Sequence, residues 1–451
     1  MKIDFLLVRP GSGVPVEGFP DLAGSLALGL KARGYLPAIL TLVEDPMAAL
    51  DIPVFCLRYR DRITAGERWD PASAHAFGVR NFRRFSACEH GYVQEERRPR
   101  PHHLLSAEVP AAFSELEKLF RENEIGCVVH PVIGGEIIRE ATSLIARARG
   151  IPVLCNACTR YFENRTLLVA DTKRTLFRRP RKRFVDLPET EKSFLREYLE
   201  SKRACRNVAW YWLQDRSFPK IAAAFIRDRK YTDLNRVLKG LQRTRQHADF
   251  QLSKLYWRLP RPEDSYVYFP LQYSRESTIA NGCPKCQNQE YILEYLARLL
   301  PDNTKLYFKQ HPHNPAEGSS LKLIRRVLEA PNAQLVPVHC NSWDLSRKAR
   351  AVVTIDSSVG YDALLLGKPV VVLGCPSYRG WGVTHDVLDL NDLHEILERA
   401  FTRELSDEQI LDFLASFESI HIKGNWFDEP LNPDEMATGL LEGFRQAAMV
   451  L

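Results

Sequence analysis

The chain of 451 residues is 45% hydrophobic and 26% charged, which excludes a disordered, collagen-like or low-complexity protein and leaves room for two domains. Its net charge of +6 conceals an asymmetry: residues 173–245 hold 21 Lys or Arg against 8 Asp or Glu, a local +13 that leaves the remainder at −7. No run approaches the ~20 apolar residues that span a bilayer, and the opening apolar stretch contains Asp4 and is too short for a signal peptide, so the expected location is cytoplasmic. The ten cysteines are scattered, without a secreted-type framework, and read as reduced, mostly buried thiols.

In chain order, residues 3–8 form an apolar first strand, a glycine-rich turn follows, and a helix over 22–33 leads to a second strand within 34–42. Gly11 and Gly13 lack the third glycine of a dinucleotide fingerprint, so that turn reads as a βα loop. Residues 59–103 are polar and Arg-rich, expected as loops with short helices, and 116–122 as a helix. A strand over 127–133 ends at Gly134-Gly135, a helix spans 136–149, and a further parallel strand covers 151–155. Glu136 and Glu163 thus fall at carboxyl ends of strands. From 194 to about 257 the pattern is helical and basic, with Trp and Tyr interleaved. Two prolines and several charges at 258–264 mark a linker. The expected division is 1–260 as a first α/β domain carrying the basic helical segment of about 173–257, 265–400 as a second α/β domain, and 401–451 as terminal helices able to cross back.

The second domain alternates strands at 266–271, 306–310, 334–337, 351–355 and 369–373 with helices at 289–299, 321–329, 341–348 and 359–366, followed by helices at 391–401 and 407–417. Chemistry gathers at two strand ends. Asp356-Ser-Ser-Val-Gly360 opens a helix, where unpaired N–H groups, the positive dipole end and two hydroxyls suit a phosphate. A serine there also serves as an ordinary helix cap. Lys309-Gln-His311-Pro312 ends the strand two positions away, and proline fixes the backbone after an imidazole able to donate to a phosphate oxygen. Lys309 precedes it and can face the other side of the sheet.

His311-Pro312, followed by Ser357-Ser-Val-Gly-Tyr-Asp-Ala-Leu-Leu-Leu-Gly-Lys-Pro-Val370, resembles the bacterial capsule polysaccharide biosynthesis family, the Kdo transferases and relatives that use CMP-sugars. Tyr268-Phe-Pro-Leu-Gln-Tyr-Ser-Arg-Glu276 is similar to that family's Phe-Pro-Leu-His-Tyr-Gln-Pro-Glu, departing at Gln272, Ser274 and Arg275 and agreeing at Glu276. The resemblance covers about 266–378 well and the first half in outline. It implies a GT-B-like fold of two Rossmann-like α/β domains facing a cleft. The CMP-sugar phosphate would be held by His311, Pro312, Ser357, Ser358 and Gly360, with Lys309 beside them.

Transfer to a hydroxyl needs a carboxylate or imidazole within hydrogen-bond reach of the attacking oxygen. The candidates are Glu136, Glu163 and Glu276. Glu136 also fits as a helix N-terminal residue stabilised by the dipole, and Glu276 as an exposed loop residue. Cys155-Asn-Ala-Cys158 and Cys283-Pro-Lys-Cys286 would make a four-thiolate zinc site only if brought together; loop cysteines are the expected reading, with no metal and no cofactor beyond the CMP-sugar substrate. The basic, aromatic segment suits an anionic inner-membrane surface and a glycolipid or oligosaccharide acceptor, and no nucleic-acid module is recognisable. The expected function is sugar transfer, of Kdo or a related acidic sugar, in capsule or surface polysaccharide assembly. A UDP-sugar epimerase and a non-catalytic assembly or export scaffold are the alternatives.

Overall fold

The computed structural model describes residues 1–9, 21–42, 51–82, 102–132, 134, 137–171, 173–204, 245, 248–272, 277–280, 282–311, 320–426 and 430–448. Two compact units divide the chain: Met1–Arg181, Ala280–Gly282 and Ser416–Leu451 form the first, and Lys182–Ile279 with Cys283–Ala415 the second.

In the first unit, β1 (Lys2–Val8) leads to α1 (Leu22–Ala32), β2 (Pro37–Thr41) and β3 (Val54–Cys56). After α2 (His102–Glu122) come β4 (Glu124–His130), α3 (Ile137–Ala148), β5 (Val153–Asn156) and β6 (Arg165–Val169). The strands β1 to β5 pair in parallel and β6 runs antiparallel to β5. Burial on both faces explains why β1 and β4 read as nearly unbroken apolar runs. Asp21 caps α1 by accepting from the Gly24 N–H. Helix α2 begins some fourteen residues earlier than its sequence pattern suggests and contains Pro110. Burial of Val109, Ala111, Ala112, Phe113 and Leu116 holds it together, and Ser73 Oγ donates to the Pro110 carbonyl at 2.9 Å. Tertiary packing here outweighs the local cost of an interior proline.

The second unit opens with α4 (Glu189–Ala204) and continues through β7 (Tyr266–Pro270), α5 (Gln289–Leu299), β8 (Lys305–Lys309), α6 (Leu321–Val327), β9 (Ala333–Val336), α7 (Ser342–Lys348), β10 (Ala351–Thr354), α8 (Ser358–Leu365), β11 (Val370–Val372), β12 (His385–Asp386), α9 (Leu393–Phe401) and α10 (Asp407–Glu418). Its six strands are all parallel in the order β12-β11-β10-β7-β8-β9. This is the doubly wound order of a Rossmann sheet, with the reversal of winding between β7 and β10. Val267, Phe269 and Leu271 enter a core with Ile292 and Leu296 of α5, Ile324 of α6 and Leu397 of α9. On the opposite face the Tyr266 hydroxyl donates to the Leu345 carbonyl at 2.8 Å and Tyr268 meets Ser342 Oγ at 3.3 Å, so two tyrosines pack against α7 without leaving a buried hydroxyl unpaired.

The unit division falls well before the proline-rich 258–264 stretch. Helix α4 belongs with the second sheet because Arg203 donates to the Leu365 carbonyl at 2.7 Å and to the Asp407 carboxylate at 2.6 Å, and the Tyr198 and Tyr361 hydroxyls lie 3.0 Å apart. Of the basic segment, 205–244 lies outside the described residues. At the other end, the boundary falls inside α10. From there β13 (His421–Lys423) joins the free side of β6 in antiparallel pairing, and α11 (Pro433–Ala448) returns to the first unit. Met436, Ala437 and Leu440 of α11 share a core with Leu22, Leu26 and Leu30 of α1. Arg33 donates to the Asp434 carboxylate and to Thr438, each at 2.6 Å. Among the described residues no helix is long and apolar enough to cross a membrane.

The two helices approach closely at Gly29, where an added Cβ would overlap the Pro433 carbonyl. Gly29→Ala is therefore expected to lower stability by about 1–3 kcal/mol, because the neighbouring atom is rigid backbone. Urea unfolding of the variant should show the loss; an unchanged midpoint would mean that α11 can shift without cost.

Candidate functional site

The parallel sheet of the second unit ends with its strand tips on one side, where Ser357, Ser358, Gly360, Lys309 and His311 fall. Ser357 caps α8: its Oγ accepts from the Val359 N–H at 3.2 Å, and its carbonyl accepts from the Tyr378 hydroxyl at 2.7 Å and the Gly360 N–H at 3.1 Å. The Ser357 N–H donates to Thr354 Oγ1 at 3.2 Å and the Asp356 N–H to Gln272 Oε1 at 2.7 Å. Four amides of the expected anion cradle are thus already bonded within the protein. The Ser358 N–H has no partner among the described residues, and its side chain is exposed. The turn therefore divides the labour of the two serines. Ser357 builds it and Ser358 faces outward. Gly360 is required at its position because a Cβ would overlap the Tyr378 hydroxyl.

His311 follows β8 by two residues and is half-buried. Pro312 lies outside the described residues, as do Glu136 and Glu276. Lys309 points into the sheet's tyrosine-bearing face, where its ammonium donates to Ser342 Oγ at 2.6 Å and the Cys340 carbonyl at 2.9 Å. Burial brings its pKa down to about 8. It serves the packing of α7 through these bonds. Glu163 is exposed on the turn into β6, at the carboxyl-end edge of the first sheet.

Several polar residues near the strand ends were given no role by the sequence. Gln272 and Gln289 are both buried just past β7 and at the start of α5. Asp362, one turn into α8, has its carboxyl raised to about 7 by desolvation, partly offset by the Lys202 charge. In the first unit, His130 ends β4 with Nε2 2.9 Å from Ser143 Oγ, and burial lowers its pKa to about 3, so it is neutral. The sequence marked Gln272 as a departure from the family's histidine, without showing that its side chain would bond to the Asp356 N–H.

Cys155 lies buried in β5, and the other three cysteines of the two pairs bond locally. Cys283 and Cys286 Sγ both approach the Leu373 carbonyl, at 3.5 and 3.8 Å, and Cys158 Sγ approaches the Asn156 carbonyl at 3.5 Å. The described cysteines are free thiols, and among the described residues no group of three or more His, Cys, Asp or Glu could hold a metal.

Lys309 supplies a pH test. With a folded pKa of about 8 against about 10.4 unfolded, the unfolded chain binds the extra proton between these values, so this group makes stability rise with pH across that window. The stability of the parent minus that of Lys309→Met should be level from about pH 6 to 7.5 and climb from about 8 to 10. Urea midpoints across this range measure it, and a level difference throughout would place the ammonium in water.

Comparison with known proteins extends this picture. A family model described as capsule polysaccharide biosynthesis protein matches residues 186–427. The capsule polysaccharide modification protein LipA of Neisseria meningitidis serogroup B is 27% identical over 131 residues, 29% of this chain and 18% of LipA. The capsule polysaccharide export protein KpsS of Escherichia coli is 28% identical over 149 residues, 32% of this chain and 37% of KpsS. The chain therefore spans well under half the length of these curated relatives. Among solved structures, the beta Kdo 2,7 transferase of Thermosulfurimonas dismutans KpsC aligns with a TM-score of 0.32 and 18% identity, covering 66% of this chain and 79% of that one. Since the family model covers more than half of the chain, including the His311 strand end and the Ser357-Ser358 turn, the protein belongs to the capsule polysaccharide biosynthesis protein family.

Proposed function

We propose that the protein is a glycosyltransferase of capsule or surface polysaccharide assembly, using a CMP-activated acidic sugar such as Kdo. The observation that carries the reading is the second unit's Rossmann strand order, with the Ser357-Ser358 turn and His311 at carboxyl ends on either side of β7. Ligands of open α/β sheets sit outside such ends, at the reversal of winding. In the proposed reaction, an acceptor hydroxyl attacks the anomeric carbon and a carboxylate takes its proton. The bond to the phosphate oxygen breaks with its electron pair, releasing CMP. His311, the Ser358 hydroxyl and the Ser358 N–H would donate to the departing phosphate. Glu136, Glu163 and Glu276 remain the candidate bases, and the reaction asks for no cofactor beyond the donor itself.

The reading requires CMP to raise the unfolding temperature more than UMP, UDP, GDP or ADP. A UDP-selective shift would favour an epimerase, and indifference to all nucleotides a scaffold. His311→Ala and Ser358→Ala should each weaken CMP binding by about 10- to 150-fold, the worth of a bond to a charged group. Ser357→Ala should instead cost about 1 kcal/mol of stability, as a lost cap does. In a transfer assay, whichever of Glu136→Gln, Glu163→Gln and Glu276→Gln removes the base should slow turnover roughly 10²- to 10⁴-fold with CMP binding intact. Parental CMP affinity in both His311→Ala and Ser358→Ala would remove the proposed phosphate site.

The acceptor is proposed to be a glycolipid or oligosaccharide presented at an anionic membrane surface, with no role for nucleic acid. Arg179, Arg181, Lys182 and Arg183 are exposed in sequence beside exposed Val185, a pairing of charge with apolar contact that suits such a surface. Reversing these four charges should reduce sedimentation with phosphatidylglycerol vesicles at low salt while CMP binding persists. Equal sedimentation of variant and parent would exclude this surface as the contact.

A further inference from the structure

We propose that Gln272 is the positioning residue that holds the Ser357-Ser358 turn in register with His311, a role that rests on reading those residues as the ligand-contacting ones. The two belong to strands that do not touch. Turn and imidazole follow β10 and β8, and β7 lies between them. On the β8 side the backbone ladder reaches the end of the strand, with the Leu271 N–H donating to the Lys309 carbonyl at 2.9 Å, two residues before His311. On the β10 side it does not. The Arg350 N–H donates to the Tyr266 carbonyl at 2.8 Å. Since successive residues of a parallel strand turn their backbone groups to alternate neighbours, Tyr266, Tyr268 and Pro270 face β10, whereas Leu271 faces β8.

Pro270 therefore stands at a β10-facing position with no N–H to donate. The registered pairing of the two strands stops earlier, at Val352 with Tyr268. Continuing that register brings Asp356 opposite Gln272. Side chains bridge the gap. Gln289 takes both backbone groups of Gln272, accepting from its N–H at 2.9 Å and donating to its carbonyl at 2.7 Å, as a neighbouring peptide would. Gln272 Oε1 then accepts the Asp356 N–H at 2.7 Å. A backbone amide can only donate, so this bond fixes which end of the Gln272 amide faces the turn. The link is almost fully enclosed, with Gln272 5%, Gln289 1% and Asp356 9% exposed, where a hydrogen bond is stronger than in water and costly to leave unmade. Its two ends lie in separate sequence stretches, and only the fold joins them.

The test compares the full-length parent with Gln272→Met, which removes the acceptor at similar volume, and Gln272→His, whose ring nitrogen restores an acceptor. Hydrogen exchange read on peptides spanning 353–361 reports the turn directly, and calorimetric titration with CMP reports the site. In Gln272→Met the peptides should exchange at least ~10-fold faster through local opening, and CMP affinity should fall at least ~10-fold, about 1.4 kcal/mol, with cooperative unfolding retained. Gln272→His should recover most of both. Unchanged exchange in Gln272→Met overturns the inference, as does parental CMP affinity in that variant. Lost affinity with unchanged exchange would also overturn it, by making Gln272 a direct ligand contact. Should the parent bind no CMP while Gln272→Met still accelerates exchange, the positioning role stands and the nucleotide reading fails.

Discussion

A parallel sheet delivers its strands to one edge with the last backbone groups of each lacking a ladder partner, and every connection leaving that edge must satisfy them some other way. The second unit meets this constraint with side chains. Gln272, Gln289, Thr354 and Tyr378 each take or give a bond to a backbone group just past a strand end, and Ser357 caps the helix that follows. The same bonds fix the geometry of the turn. Satisfying the edge and shaping the site are one act, which is why an amide bonded inward at Asp356 and an amide open at Ser358 lie two residues apart.

Much of the second unit was legible in the sequence. Helix α5 falls on 289–299 as expected, and β7 to β11, α6 to α8, α9 and α10 lie within a few residues of their expected limits, whereas the two-residue β12 was not foreseen. Those elements advertise themselves through apolar runs bounded by Asn, Ser and Gly, and the caps at Asn288, Ser320, Asn341 and Ser357 are real. The α/β class and the parallel sheets follow from the alternation of strands and helices. The site was legible as a location more than as an arrangement. Two adjacent serines look alike in sequence, and only their neighbours distinguish a cap from an outward hydroxyl. Lys309 beside His311 likewise gave no sign that its ammonium would turn toward Ser342.

The first unit was harder to read because its construction is non-local. Strand β3 has three residues and β13 three, too short for any period to show. Strand β6 runs against β5, and nothing within 165–169 announces that the edge strand beside it arrives from residue 421. Helix α2 extends well before the expected 116–122 and through Pro110, because the buried face that offsets an interior proline is set by tertiary packing and not by local sequence. Helix α4 falls with the second unit and not the first for a related reason: composition marks its segment as basic, but the bonds of Arg203 and Tyr198 decide where it packs.

The return of β13 and α11 to the first sheet has a consequence for biosynthesis. Translation proceeds from the amino end, so β1 to β6 leave the ribosome long before residues 421–448, which supply the edge strand and the helix over α1. Every contact of the second sheet is available once residue 415 has emerged. The unit begun first is thus completed last, and the apolar face formed by Leu22, Leu26 and Leu30 stays uncovered throughout synthesis of the second unit. Nascent chains stalled between 200 and 420 should for that reason be the species that most engage chaperones, since exposed apolar surface on an unfinished sheet is what such factors bind.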